Sequence, residues 1–443
     1  MKKNLTIMLL LLSAICKGQI ITTIAGTSTG GSSAEGAPAT NANLGFVGYI
    51  TFDDTGNYYF GSSYYKIRKI SVSGEINTIA GTGFFGYNSD GIPATTAKLS
   101  LPGDIAIDKK GMIYICDINN NRIRRYNPTT GLISTFAGTG VPGFSGDGAA
   151  ATSAMLSQPW SLQFDKTGNL FFADAANFRI RKIDTNGLIS TIAGSGINGS
   201  DGDGGQATNA KLEGLESVRI DKHNNLYISQ TTRIRKINLT TGIITHVAGT
   251  GVNGYSGNGG PASSAALYAV VDIAIDAYGN LFFTEEYNHI IRKIDNNGII
   301  SLVAGTALPG MSGDGGNCIS AQLNHPRGLA FDTCGNLYVA DAGNARIRKI
   351  ALNPDCLPVA VPEVTGNTVT TPTIYPNPAT ETLTINAGVA IAHISISNAM
   401  GQQVLELHPT GGKKSVEANV QHLPLGMYIV RVNDVWVGKL VKE

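Results

Sequence analysis

The sequence has little charge and no excess of either sign. Only 15% of its 443 residues are charged, and 33 Lys and Arg against 32 Asp and Glu give a formal net charge of +1. No basic field is present to attract a nucleic-acid backbone, so we expect no nucleic-acid partner. Beyond the first twenty residues no apolar run is long enough to span a bilayer, and GxSxG, HExxH and Gly-rich phosphate loops are absent.

Glycine, by contrast, is abundant. The 55 glycines and a hydrophobic content of 42% predict a turn-rich, all-β protein that still buries a large core. At the N-terminus, Lys2 and Lys3 precede an apolar run over 5–15, and the small residues Cys16 and Gly18 follow it. This pattern predicts a signal peptide over 1–18 and export of the mature chain. The alternative, a membrane anchor, is disfavoured because a span needs roughly 20 apolar residues.

A segment of about 56 residues recurs six times. The turn after its first strand begins with an aspartate at intervals of 55 to 57 residues, at Asp53, Asp108, Asp165, Asp221, Asp276 and Asp332. An Arg-bearing strand of the type RIRKI (346–350) and a strand of the type ISTIAG (189–194) recur in step. Four short strands per repeat are typical of a propeller blade, which must stack against neighbours to cover both of its faces. We therefore predict a six-bladed β-propeller over 19–352.

The repeats are shifted in phase along the chain. The last copy ends after its third strand at Ile350, whereas a fourth strand, ITTIAG, stands alone at 21–26. If the early strand completes the last blade, the ring closes and no open sheet edge remains. Segments GNLYVAD (335–341), NARIRKI (344–350) and the loop GTGVPGFSGDGAAATSAML (138–156) resemble NHL repeats of the long bacterial kind. That resemblance implies the propeller fold, and it spans functions that include adhesion, sensing and catalysis.

Functional residues on a ring of copies are expected where the copies differ. The first strands of the blades begin at the face that carries the inter-blade loops, here called the upper face. Their differing polar residues predict a ligand site at the upper mouth of the channel, formed by Asp104, Trp160, Gln163, Glu216, Arg219, Asp272, His325 and Arg327. We expect a binding or adhesion propeller that acts as a monomer on a glycan or protein ligand. The alternative is a metal-dependent, lactonase- or lyase-like enzyme with a metal at Asp104, Glu216, Asp272 and His325.

The arginine that every copy repeats is predicted to be structural. These residues are Arg68, Arg124, Arg181, Arg235, Arg292 and Arg348. Acidic residues that end the second strands are expected to pair with them, namely Asp117, Asp174, Glu285 and Asp341. The loops that contain Asp147 and Asp203 superficially resemble calcium-binding loops, but they lack the terminal bidentate Glu of that motif. Their Asp-Gly pairs are explained by turn formation, so we expect no cofactor. Binding of Ca²⁺ or another divalent metal is the alternative.

Four cysteines remain after the predicted signal peptide, too few for a disulfide scaffold and at spacings that match no zinc motif. Cys334 lies in the turn after the first strand of the last blade, and Cys356 follows its third strand, so both belong to the lower face. Because export permits oxidation, we predict a disulfide between Cys334 and Cys356, with Cys116 and Cys318 as free thiols.

After a Pro/Thr-rich linker over 353–372, alternating strands predict a small Ig-like β-sandwich over 373–443. This segment resembles the C-terminal sorting domain of the type IX secretion system. The features that match are Pro376, Asn377, Pro378, Gly426, Tyr428, Lys439 and Lys442. The resemblance implies secretion or display at the outer cell surface, the secretion machinery as a partner, and removal of the domain after transport. An ordinary Ig-like binding module is the alternative.

Overall fold

The structure is a computed structural model that describes residues 19–28, 30–32, 35–352, 373–387, 390–398, 403–433 and 436–442. The predicted signal peptide and linker lie outside the described residues. The chain divides into two compact units, Met1–Asn353 and Pro354–Glu443. In the described part of the chain, the helices are three-residue 3-10 turns, and none is long and apolar enough to cross a membrane.

The first unit consists of short strands. They are β1 (Ile20–Ala25), β2 (Ala37–Pro38), β3 (Val47–Phe52), β4 (Tyr58–Ser62), β5 (Lys66–Ile70), β6 (Glu75–Ala80), β7 (Ile92–Pro93), β8 (Pro102–Ile107), β9 (Ile113–Asp117), β10 (Arg122–Asn127), β11 (Leu132–Ala137), β12 (Pro159–Phe164), β13 (Leu170–Asp174), β14 (Arg179–Ile183), β15 (Ile189–Ala193), β16 (Val218–Ile220), β17 (Asn225–Gln230), β18 (Arg233–Asn238), β19 (Ile244–Ala248), β20 (Val270–Ile275), β21 (Leu281–Glu285), β22 (Ile290–Ile294), β23 (Ile300–Ala304), β24 (Pro326–Phe331), β25 (Leu337–Asp341) and β26 (Arg346–Ala351). The 3-10 turns are Ala39–Asn41, Ala94–Thr96, Ile118–Asn120, Ala151–Ser153, Ala175–Asn177, Ala207–Asn209, Ala262–Ser264, Cys318–Ser320 and Ala342–Asn344.

These strands form six antiparallel sheets, each a meander of four strands, and β2 and β7 extend two of the sheets by a short fifth strand. The innermost strands β3, β8, β12, β16, β20 and β24 contact one another in a closed ring. Blades 1 to 5 therefore begin at β3, β8, β12, β16 and β20, and blade 6 begins at β24. The predicted six-bladed propeller is confirmed.

Blade 6 takes its outermost strand from the other end of the domain. Strand β1 pairs antiparallel with β26, and Ile21 lies opposite Ile350. Ile21 is fully buried, so the strand contributes apolar packing as well as backbone hydrogen bonds. The predicted ring closure is confirmed, and it removes the sheet edge that an unpaired β26 would expose.

The repeated arginines are buried in the blades and held by carboxylates. Arg181, for example, contacts Asp174 at 3.2 Å and the loop residue Asp147 at 2.8 Å. Equivalent pairs are Arg124 with Asp117 and Asp90, Arg292 with Glu285, and Arg348 with Asp341 and Asp314. Burial raises the pKa of Asp117 to about 6 even though Asn120, Ser100 and Arg124 act in the opposite direction. The structural prediction for the arginines is confirmed, and several loop aspartates serve as their counter-ions.

Among the cysteines that the structure describes, Cys334 is disulfide-bonded, whereas Cys116 and Cys318 are buried free thiols. Burial raises the pKa of the Cys116 thiol well above its ordinary value. Cys356 lies outside the described residues, so the pairing with Cys334 stays a prediction.

The described residues of the second unit form seven strands: β27 (Thr373–Tyr375), β28 (Thr382–Asn386), β29 (Ile394–Asn398), β30 (Gln403–Leu407), β31 (Ser415–Asn419), β32 (Gly426–Val432) and β33 (Trp436–Lys442). They form two sheets in the orders β27-β28-β31 and β30-β29-β32-β33. Apolar side chains of both sheets, such as Leu383, Ile385, Ile396 and Val430, share one buried core. The predicted β-sandwich is confirmed.

Several of the predicted sorting residues hold the last strand in place. The Asn377 side chain accepts a hydrogen bond from the Val441 N–H at 2.8 Å, and the peptide bonds before Pro376 and Pro378 are cis. The buried Tyr428 hydroxyl donates to the Pro424 carbonyl at 2.7 Å. Lys442 is also buried, which does not fit an exposed recognition charge. The side chain of Lys439 lies outside the described part of the structure, so its role stays a prediction.

Candidate functional site

The innermost strands surround the central channel, and their sequences alternate between side chains that pack into blades and side chains that face the axis. Two levels of axis-facing residues follow from this alternation. The upper ring consists of Tyr49, Asp104, Ser161, Ser217, Asp272 and Gly328. The lower ring consists of Thr51, Ala106, Gln163, Arg219, Ala274 and Ala330.

Arg219 closes the channel between these rings. Its guanidinium reaches up from blade 4 to Asp104 of blade 2 and Asp272 of blade 5, each at 2.8 Å. Ser161 donates to Asp104 at 2.6 Å, and Ser217 donates to Asp272 at 2.7 Å. We call Arg219, Asp104 and Asp272 the Arg219 triad. Both carboxylates are buried, so the triad is a structural ion cluster that joins three blades.

Burial and the neighbouring charges shift the pKa values of the Arg219 triad. Burial raises the pKa of Asp272, and the neighbouring charge of Asp104 adds to this, although Arg219 acts in the opposite direction. Burial alone would lower the pKa of Arg219, but the attraction of Asp104 and Asp272 for its positive charge is larger, so the pKa is raised. The guanidinium therefore stays protonated at every accessible pH.

A second cluster lies above the triad and is called the mouth cluster: Tyr49, Trp160, Glu216, Glu286 and Arg327. The Trp160 indole N–H donates to the Tyr49 hydroxyl at 2.9 Å, and that hydroxyl donates to the Glu216 carbonyl at 2.8 Å. Arg327 contacts Glu286 at 2.8 Å and Glu216 at 3.3 Å. Burial raises the pKa of Glu216 to about 7, although Arg327 lowers it. These polar groups satisfy one another across the upper channel.

His325 lies at the rim of this cluster. Its backbone N–H donates to Nδ1 of His289 at 3.2 Å, and its own Nδ1 is 3.6 Å from Glu286. The two imidazole rings meet edge to face at 4.9 Å. Burial lowers the pKa of His289, and His325 adds to the effect. His325 is therefore held by the rim and does not reach into the channel with Asp104.

The proposed metal centre of the enzyme alternative is divided by these contacts. Asp104 and Asp272 bind Arg219, and Glu216 binds Arg327. Within the described residues, three side chains able to ligate a metal together come from the second unit, not from the channel. The arrangement of the channel residues thus gives the enzyme alternative no support.

Below the Arg219 triad the channel widens into a cavity of about 400 Å³, here called the channel cavity. Its wall exposes more polar than apolar surface, and the apolar part comes from the lower ends of the innermost strands: Phe52, Ile107, Phe164, Ile220, Ile275 and Phe331. These side chains are only half-buried, so solvent reaches the cavity from the lower face. Gln163 and Thr51 provide polar groups in its wall, and neither side chain hydrogen-bonds to any residue that the structure describes.

The residues predicted as one upper site are therefore divided among the channel cavity, the Arg219 triad, the mouth cluster and its rim. Asp104, Gln163 and Arg219 line the channel cavity. Trp160, Glu216 and Arg327 form the mouth cluster, Asp272 completes the Arg219 triad, and His325 lies at the rim. Sequence reasoning missed Glu286, which directly follows the acidic end of β21, and it missed Thr51, which the alignment of first strands places at the level of Gln163.

Comparisons with known families agree with this architecture. Residues 373–443 match the family described as "Secretion system C-terminal sorting domain", and residues 323–350 match "NHL repeat". Residues 139–201 match "Teneurin NHL domain". The chain is thus a propeller with NHL repeats that carries a C-terminal sorting domain, and a type IX secretion system exports it to the cell surface or the extracellular space.

Individual proteins are similar over the propeller. Teneurin-3 of Mus musculus is 30% identical over 342 residues, which are 68% of this chain but only 12% of the teneurin. Two solved structures of auxiliary nutrient binding proteins share the fold. The one from Bacteroides ovatus has a TM-score of 0.56 at 14% identity, covering 76% of this chain and 77% of that chain. The one from Bacteroides thetaiotaomicron has a TM-score of 0.55 at 18% identity, covering 75% and 76%.

Proposed function

We propose that this exported propeller is a binding protein that holds a small ligand in the channel cavity, beneath the Arg219 triad. The observation that carries the proposal is the Gln163 amide, which lines the cavity without a hydrogen-bond partner among the described residues. Because solvent reaches the cavity, a polar group of this kind has only to exchange water for a ligand, whereas the mouth cluster would first have to break its own bonds. The proposed ligand site is therefore the lower half of the channel, whereas the sequence predicted a site at the upper mouth.

The cavity wall indicates the chemistry of the ligand. Ligand sites are commonly 300–1,000 Å³ in volume, and the channel cavity of about 400 Å³ falls in that range, with a wall that exposes more polar than apolar surface. Two carboxylates share one guanidinium in its roof, so the nearest ion cluster carries excess negative charge and disfavours anions. We expect a neutral or cationic organic molecule that carries several amide or hydroxyl groups, one of them facing Gln163.

A binding role agrees with two further points. The Bacteroides structures that share the fold are described as auxiliary nutrient binding proteins, and a rigid ring of exported blades is suited to present a preformed cavity. A nucleophile motif is absent from the sequence, and the carboxylates required by a metal-dependent enzyme are paired with arginines. We therefore propose recognition rather than catalysis, with the whole cavity formed by one chain.

The test compares two substitutions in the channel. A library of glycans and small organic molecules is screened against the mature chain by thermal shift, and the affinities of the hits are measured by calorimetry. Gln163→Leu keeps the volume but removes the amide, so we expect affinity to fall about tenfold, equivalent to roughly 1.4 kcal/mol for one hydrogen bond. The exposed Gln206→Leu is the matched control and should bind as the wild type does.

Trp160→Phe distinguishes the two halves of the channel. It removes the indole N–H from the mouth cluster without touching the channel cavity, so ligand affinity should not change. If Trp160→Phe abolishes binding while Gln163→Leu does not, the ligand sits at the upper mouth and the proposed site is wrong. Turnover of a bound compound would contradict the non-enzymatic class.

A further inference from the structure

A cluster of two histidines and a glutamate lies on the surface of the second unit. His393 immediately precedes β29, and His408 immediately follows β30. These strands are antiparallel with Ile394 opposite Leu407 and Ser395 opposite Glu406, so continuing the register places His393 opposite His408. Side chains two residues apart on a strand share a face, so Glu406 joins both histidines on one side of the sheet.

The distances suit a shared ion. Nε2 of His393 lies 2.9 Å from Oε1 of Glu406, and Nε2 of His408 lies 3.4 Å from the same oxygen. The two imidazole rings are stacked, with centroids 4.9 Å apart and planes within 12°. One ligand atom from each of the three residues lies within 4.8 Å of the others. A tetrahedral zinc with bonds near 2.0–2.1 Å separates its ligand atoms by roughly 3.3–3.5 Å, so only small side-chain rotations are required.

We propose that His393, Glu406 and His408 bind one divalent transition-metal ion, with Zn²⁺ as the ion that fits the donor set. Two imidazole nitrogens and one carboxylate oxygen are typical zinc ligands, whereas Ca²⁺ and Mg²⁺ prefer oxygen alone. His408 and Glu406 are 69% and 44% exposed, so solvent can supply the fourth ligand. Cu²⁺ and Ni²⁺ accept the same donors, so the structure assigns the class of ion and not a single metal.

A bound metal would link the edge strand β30 to its neighbour β29. β30 is the outermost strand of its sheet and pairs only with β29 among the described strands. A metal held by His393 on one side and by Glu406 and His408 on the other connects these two strands. Since an ion that binds only the folded state stabilises it by mass action, the metal should slow the opening of β30.

The experiment uses the chain over residues 19–443, before removal of the C-terminal domain, stripped with a chelator and titrated with ZnCl₂ by calorimetry. We expect one equivalent to bind to the wild type, and the affinity to fall by about tenfold or more in His408→Ala and in Glu406→Gln. His422→Ala removes another exposed histidine of the same unit and should bind like the wild type. Because the substituted side chains are exposed, the metal-free melting temperatures should match.

Two readouts locate the ion. Hydrogen exchange of peptides covering 393–408 should slow when Zn²⁺ is added, and only in proteins that keep all three ligands. The electron paramagnetic resonance spectrum of the Cu²⁺ form should show coupling to two imidazole nitrogens. Equal affinity in wild type and His408→Ala, or a loss of affinity in His422→Ala alone, would overturn the assignment. Absence of Zn²⁺ binding to the wild type would show that the cluster is only a hydrogen-bonded group.

Discussion

Replacing Arg219 by Met should destabilise the propeller strongly, because the side chain holds two carboxylates that are almost completely buried. Asp104 and Asp272 are 1% and 0% exposed, and each lies 2.8 Å from the guanidinium. Methionine fills a similar volume but leaves both acids without a cation. The serine hydroxyls and the Leu329 N–H that also contact them supply hydrogen bonds and no opposite charge.

The expected loss of stability follows from the burial of the Asp104 and Asp272 carboxylates. Removing one partner of a buried ion pair costs about 3–5 kcal/mol, since an uncompensated charge remains in the interior. With an unfolding entropy of about 2.1 cal/mol/K per residue, a loss of this size lowers the melting temperature of a unit this long by roughly 4–7 °C. An exposed arginine has no such cost, so Arg125→Met is the matched control.

The loss should also depend on pH. The pKa of Asp272 is raised in the folded state, so between its ordinary value near 3.9 and the raised one the folded protein binds more protons than the unfolded protein. Stability from this group therefore falls as the pH rises through that window. Without Arg219 the penalty is largest at neutral pH, and protonation relieves it as the pH approaches 4.

Thermal and urea unfolding at pH 7 and pH 4.5 would measure both effects. The triple variant Arg219→Met, Asp104→Asn, Asp272→Asn removes all three charges while keeping the side-chain shapes, and it should recover most of the lost stability. If Arg219→Met melts like Arg125→Met, or if its loss is the same at both pH values, the triad is not the ion cluster described here.

Three other predictions concern strand β1, the Cys334–Cys356 bridge and the removal of the second unit. Deleting residues 19–27 removes β1 and exposes the edge of β26, so the melting temperature should fall; an unchanged value would contradict the contribution of ring closure. Alkylation and mass spectrometry should find one Cys334–Cys356 disulfide together with two free thiols. The disulfide would stabilise the folded propeller by roughly 3 kcal/mol. Four free thiols would exclude the bridge. Mature protein from the native host should lack residues 375–443, and recovery of a surface form that still contains the C-terminal strand would show that the domain is not removed.

The sequence alone determined the architecture of both units. Each copy repeats the same turn aspartate, the same buried arginine and the same spacing of strands. A four-stranded repeat with two apolar faces cannot bury them alone, so it must stack against its neighbours. The orphan strand before the first copy completed the argument, since β26 pairs with β25 on one side and keeps an open outer edge until β1 pairs with it. The arginine counter-ions were also predictable, because Asp174 and Arg181 lie on neighbouring strands of one blade.

Only the tertiary structure decided how the channel is used. Asp104, Arg219 and Asp272 come from three different blades, and no local period relates them. Alignment of the copies showed that these positions differ, but whether a charged side chain meets solvent, a ligand or another charge depends on its reach across the axis. Because of that reach, the polar residues predicted to form one ligand site form two clusters that bind each other, and the Gln163 amide faces the channel cavity below them. Blade packing follows from contacts between near neighbours in sequence, whereas the channel combines one residue from each distant copy, and its chemistry exists only once the ring has closed.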